Sequence, residues 1–78
     1  MKGIKVIIAE DEPIVARYIR GIVQSIPDFY VMAMCDNGEE ALNAYKREEA
    51  QVLITDIRMP GIDGLELIRQ LKSNGFHP

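Results

Sequence analysis

Short aliphatic runs alternate along the chain with longer stretches whose apolar positions recur every third or fourth residue. Ile4 to Ala9 (IKVIIA) reads as a first strand that ends at Glu10-Asp11-Glu12 and then Pro13. Proline suits the first position of a helix, where its missing N–H would be unpaired in any case. Ile14, Val15, Tyr18, Ile19, Ile22, Val23 and Ile26 follow at helical spacing and predict one apolar stripe. Arg17 and Arg20 fall on or near the other face, and Pro27 is the stop signal.

Tyr30 to Cys35 (YVMAMC) is rich in strand formers and ends at the turn signal Asp36-Asn37-Gly38. Met32 and Met34 within it are expected to fill the core. Glu39 and Glu40 then open a second helix, where they complement the positive end of its dipole. Ala41, Leu42, Ala44 and Tyr45 are its expected buried face. Val52-Leu53-Ile54-Thr55-Asp56, closed by Pro60-Gly61, has the pattern of a buried parallel strand that stops at a carboxylate. Asp63-Gly64-Leu65-Glu66 has capping-box spacing. Leu65, Leu67, Ile68 and Leu71 form a third stripe, which Ser73-Asn74-Gly75 closes. The order β-α-β-α-β-α predicts an α/β fold with a parallel sheet and right-handed crossovers, without repeats or internal linkers.

Composition narrows the class. The 78 residues allow one small domain. The single Cys35 excludes an internal disulfide and is expected to be a small buried side chain. A formal charge of −3 argues against a nucleic-acid surface, which needs clustered Lys and Arg. No apolar run approaches membrane-spanning length, so a cytoplasmic location is expected. Taken alone, Asp56 is equally a strand cap, a turn initiator or a ligand-binding group at the rim of the sheet, where open α/β sheets bind their ligands.

Three motifs in order change that balance. Ile7-Ile8-Ala9-Glu10-Asp11-Glu12-Pro13, Asp36-Asn37-Gly38-Glu39-Glu40-Ala41-Leu42 and Ile54-Thr55-Asp56-Ile57-Arg58-Met59-Pro60-Gly61-Ile62-Asp63-Gly64 resemble the receiver domain of two-component response regulators. The resemblance implies a flavodoxin-like doubly wound sheet with strand order 2-1-3, which brings Glu10, Asp11 and Asp56 into one rim pocket. Crowded carboxylates repel unless a cation is present, and Mg2+ is commonly held by one or two carboxylates plus phosphate oxygens. Carried over by position, Asp56 matches the phosphoacceptor. Asp11 matches a direct Mg2+ ligand, Glu10 a ligand acting largely through water, and the backbone carbonyl of Arg58 a further ligand. Pro60-Gly61 and Gly64 match the residues that shape the acceptor loop. The implied phosphodonor is a sensor histidine kinase. The implied effector is an output domain of the full-length protein, in that family most often DNA-binding and transcriptional.

The pattern also departs from the family. A family receiver has about 120 residues, near the modal domain size, with five strands and five helices. This sequence reads as a receiver domain over 1–78, truncated before the fourth strand to three strands and three helices. The Ser/Thr and Lys that contact the phosphoryl group in the family have no counterpart. Thr55 points to the face opposite Asp56, and Lys2, Lys5, Lys46 and Lys72 do not match the missing lysine. The open edge of the third strand is expected to pair with another chain. The alternative to a working acceptor is thus a phosphorylation-incompetent fragment that self-associates through that edge. A free-standing phosphohydrolase would need a general acid or base beside Asp56. The single histidine, His77, is penultimate. A non-enzymatic role is therefore expected.

Overall fold

The computed structural model describes residues 3–77, so Lys2 and the ends of the 1–78 span lie outside the described residues. β1 (Ile4–Ala9) is the middle strand of a parallel sheet, flanked by β2 (Phe29–Cys35) and β3 (Val52–Thr55) in the order β2-β1-β3. Three helices alternate with the strands: α1 (Pro13–Gln24), α2 (Gly38–Arg47) and α3 (Gly64–Ser73). The expected fold class and strand order are both present.

Strand alternation sorts the core into two layers. Val6 and Ile8 point to one face, where Ile19 and Val23 of α1 meet them with Val31, Val52 and Ile54. Ile7 and Ala9 point to the other, against Ala41, Leu42 and Tyr45 of α2 and Leu67 and Leu71 of α3. Cys35 belongs to this second layer, and burial together with the Glu40 charge pushes its thiol up to about 11. The pairing of β2 slips by one residue, Val6 opposite Val31 but Ile7 opposite Ala33. Met32 is therefore an extra residue in a bulge, a device that keeps an edge strand from pairing outward.

Helix ends follow local chemistry. Asn37 caps α2 by accepting from Glu40 N at 2.8 Å, and Asp63 caps α3 by accepting from Glu66 N at 2.9 Å. Only half of the expected capping box forms, because the Glu66 carboxylate turns to Arg69 and Gln70 instead. At the other end of α3, Gly75 N donates to Lys72 O and Phe76 N to Leu71 O, with φ of 100° at Gly75. This left-handed termination swings Phe76 back edge-on to Tyr45, with ring centroids 5.8 Å apart.

Three side-chain expectations are corrected. Most of the α1 stripe is not buried: Ile14 is 75% and Tyr18 71% exposed, and Val15, Ile22 and Ile26 are also exposed. α1 is the only described helix on its face of the sheet, and the stripe is wider than the strip of sheet beneath it. Leu65 is likewise 64% exposed, because it stands on the flank of α3 while Leu67 and Leu71 face β1. Met34 is exposed, whereas Met32 packs against the core.

α1 ends at Gln24, and the chain returns to the sheet through Ile26-Pro27-Asp28-Phe29, where Phe29 N donates to Ile26 O at 3.2 Å. Asp28 has φ of 72°, the position that glycine favours in such turns. Left-handed backbone costs an L-residue about 1–2 kcal/mol, less for Asp and most for a β-branched residue, so Asp28→Val is expected to lower the unfolding free energy by the difference, about 1 kcal/mol. Asp28→Gly should leave it within about 0.5 kcal/mol or raise it, since glycine trades that strain for entropy. Urea denaturation of both variants checks this, and a fully tolerated valine would contradict it.

Candidate functional site

Strand register builds the site. Ala9 of β1 lies opposite Thr55 of β3, so the residues that follow leave the sheet at neighbouring points. Asp56 N donates to Ala9 O at 3.0 Å and Glu10 N to Cys35 O at 2.9 Å, which pins both acids to the carboxyl edge of the sheet. Carboxylate oxygens of Glu10, Asp11 and Asp56 all lie within 4.8 Å of one another. The three acids singled out from the sequence are therefore together.

Their environments differ. Glu10 is only 9% exposed, whereas Asp11 and Asp56 reach solvent. Burial raises the Glu10 carboxyl above its usual range, and the Asp56 and Asp11 charges push it further. The N–H of Glu12, donating to Glu10 Oε2 at 3.1 Å, opposes this rise and fixes the orientation of the side chain. Three hard oxygen donors at this range, one of them raised by burial and then by like charge, suit a small divalent cation that prefers carboxylate and water ligands.

The loop after β3 is held from below. Met59 is buried, Gly61 has φ of 79°, and Gly64 N donates to Ile57 O at 2.8 Å. A Cβ on Gly64 would strike the Asp56 carbonyl oxygen and stand 2.9 Å from Ile57 Cα. The start of α3 can approach the acid only because this residue is glycine. Arg58 is exposed in the same loop. The Thr55 hydroxyl donates to Asp56 O at 2.8 Å and takes no place in the acid cluster, and neither does His77. Sequence reasoning missed Arg17. Set there on the polar side of α1, it lines a cleft of about 260 Å³ with Glu10, Asp11, Cys35 and Glu40. Helical spacing alone does not say which turn of α1 overhangs the end of β2.

Fold and site together define a flavodoxin-like domain with an acidic pocket at the carboxyl edge of its sheet. The family described as the response regulator receiver domain matches residues 6–78. The chain belongs to this family, whose members serve two-component signalling. It is 32% identical over 75 residues to the probable C4-dicarboxylate response regulator DctR of Priestia megaterium, covering 96% of this chain and 33% of that protein. It is 35% identical over 76 residues to a protein-glutamate methylesterase/protein-glutamine glutaminase of Shewanella frigidimarina, covering 97% of this chain and 19% of that protein. The isolated REC domain of RcsB from Salmonella enterica serovar Typhimurium, solved with the phosphomimetic BeF3-, superposes with a TM-score of 0.85 at 35% identity. That match covers 95% of this chain and 56% of the RcsB chain. The chain thus spans a third or less of these two curated relatives.

Because the Glu10 carboxyl is raised, the folded chain binds more protons than the unfolded one in the pH window just above the ordinary value of 4.5. Stability in metal-free buffer should therefore fall as pH rises through that window. Glu10→Gln should flatten the decline and be the more stable protein at pH 7 in chelator. Urea midpoints at pH 5 and pH 7 measure this, and a wild type that gains stability over that interval while Glu10→Gln does not would contradict it.

Proposed function

We propose that Asp56 accepts a phosphoryl group from the phosphohistidine of a sensor histidine kinase, and that residues 1–78 act as part of a receiver domain controlling an output domain of the full-length protein. The observation that carries this reading is the convergence of Glu10, Asp11 and Asp56 at the end of β1 and β3. In the transfer, an Asp56 oxygen bonds to phosphorus as the phosphorus–nitrogen bond breaks. The imidazole keeps the bonding pair and takes a proton. Mg2+, held by Asp11, Asp56 and the Arg58 carbonyl with Glu10 acting largely through water, would supply the neutralisation of charge that such transfers need. The chain's own part is positional. Gly64 lets α3 press the backbone of Asp56 into place, and the Glu12 N–H holds the Glu10 carboxylate at the rear of the pocket.

The receiver is a non-enzymatic switch in this reading, since the exposed His77 is not a member of the acid cluster. Catalytic activity in methylesterase-type relatives then belongs to their other domains. The output here is taken to be a DNA-binding transcriptional domain, with no nucleic-acid contact by this segment and a cytoplasmic location. Among the described residues, no helix is long and apolar enough to cross a membrane.

A Mg2+ titration with beryllofluoride, followed by NMR, tests the reading. Saturable shifts at Glu10, Asp11 and Asp56 are expected in the wild type and should vanish in Asp56→Asn. A wild type that stays silent at millimolar Mg2+ would remove the acceptor role.

One observation favours a second reading, association between chains through the edge of β3. The outer side of β3 borders a groove of about 300 Å³ lined by Gln51, Val52, Leu53, Thr55, Ile68 and Phe76. No described strand pairs with that side, and such an edge recruits another strand. Concentration-dependent association through β3 is expected in sedimentation. A strictly monomeric species at high micromolar concentration would refute it.

A further inference from the structure

Gly38, the first residue of α2, has nothing in its own backbone that calls for glycine. The described residues with positive φ are Asp28, Gly61 and Gly75, and Gly38 is not among them. A helix start also gains from almost any other residue, since glycine is a poor helix former. What Gly38 supplies is space. A Cβ placed there would lie 2.6 Å from Ile62 Cγ1, 3.1 Å from Ile62 Cδ1 and 2.9 Å from the Ile62 carbonyl oxygen. The side-chain atoms could turn away, but the carbonyl belongs to the backbone of the loop after β3.

That loop leads back to the acid. Ile62 precedes Asp63, the cap of α3, and then Gly64, whose N–H is bonded to Ile57 O and whose missing Cβ admits the Asp56 carbonyl. Ile62 also packs on the buried cluster that contains Met59 and Ala41. Both α2 and α3 therefore begin with a glycine pressed against the same short loop, one at each end of it. We propose that Gly38 is a positioning residue for the acidic site: by admitting Ile62 against the start of α2, it sets the path of residues 57–63 and with it the placement of Asp56 and the Arg58 carbonyl. The metal consequence of this proposal rests on the acceptor reading above, but the backbone consequence does not.

The test compares amide NMR spectra of wild type, Gly38→Ala and the double variant Gly38→Ala/Ile62→Ala, first without metal and then through a Mg2+ titration. In Gly38→Ala the metal-free signals of Asp56, Ile57 and Arg58 should move with that of Ile62. The Mg2+ midpoint should rise by about tenfold or more, the usual effect of disturbing groups that orient metal ligands. The double variant removes Cγ1 and Cδ1 of Ile62 but keeps its carbonyl oxygen, so it should return both readouts part of the way. A purely structural glycine would change thermal stability without that rescue. Signals of Asp56–Arg58 and a Mg2+ midpoint unchanged in Gly38→Ala would overturn the proposal. If the wild type takes up no Mg2+ while the metal-free signals still move and are rescued, the positioning role stands and the acceptor reading fails. Should Gly38→Ala not fold, the double variant decides: the new methyl group still meets the Ile62 carbonyl oxygen, so the same three amides should remain displaced, and wild-type positions for all three would overturn the proposal.

Discussion

Like charge held at short range is the constraint around which this domain is arranged. Carboxylate oxygens of Glu10, Asp11 and Asp56 lie within 4.8 Å of one another, and one of the three side chains is buried. At such separations two unit charges repel by about 3–4 kcal/mol at the effective dielectric found near a protein surface. Surface ion pairs such as Lys5–Glu48 contribute about 0–1 kcal/mol and do not offset that. What keeps the acids together is the sheet itself. The side chains of Val6, Ile7, Ile8 and Ala9 are fully or almost fully buried between the two helical layers, and parallel pairing on both sides of β1 leaves the ends of β1 and β3 no freedom to separate.

The rest of the fold serves that pinning unevenly. On the side of α2 and α3 the layer is dense: Tyr45 meets Phe76 edge-on, Leu67 and Leu71 are buried, and Met59 and Ile62 tie the loop after β3 into the same cluster. On the other side α1 rests on the sheet mainly through Ala16, Ile19 and Val23, with its remaining apolar residues in solvent. The α2–α3 layer thus ties down the loop that carries Asp56, while the start of α1 supplies the Glu12 N–H on Glu10 and, with Pro13 and Arg17, part of the lining of the cleft beside Glu10 and Asp11.

This asymmetry also explains which features could be read from the sequence. β1 and the end of β3 were legible because an aliphatic run stopped by acids or by Pro-Gly carries its own boundaries. The meeting of Glu10 and Asp11 with Asp56 was legible only through the receiver resemblance, since strand order is not written in periodicity. The α2 face of Ala41, Leu42, Ala44 and Tyr45 was read correctly because a second helix and the sheet together cover it. Ile14, Tyr18 and Leu65 were misjudged for the converse reason. Helical spacing tells which residues share a face, and burial depends on whether another element lies over that face. Glu66 was placed correctly at the third position of α3, yet its carboxylate found Arg69 and Gln70 closer to hand than the cap. Gly38 looked like turn punctuation after Asp36-Asn37, and its contact with Ile62 spans a separation in sequence that no local pattern reports.

The two glycine contacts give this asymmetry mechanical content. A loop of irregular backbone carrying a charged residue would ordinarily be among the more mobile parts of a small domain. Here both of its ends are pressed by helix starts at distances that leave no room for a methyl group. Packed elements so close shift together rather than deform, because interiors are dense and resist compression. A change in charge or bonding at Asp56 therefore bears first on the start of α3 and, through Ile62, on the start of α2. α1 reaches the site by another route, through Glu12 at its start, whose N–H donates to the Glu10 carboxylate at 3.1 Å. The sheet holds the three carboxylates together, and the two glycine contacts link the loop that carries Asp56 to the layer of α2 and α3.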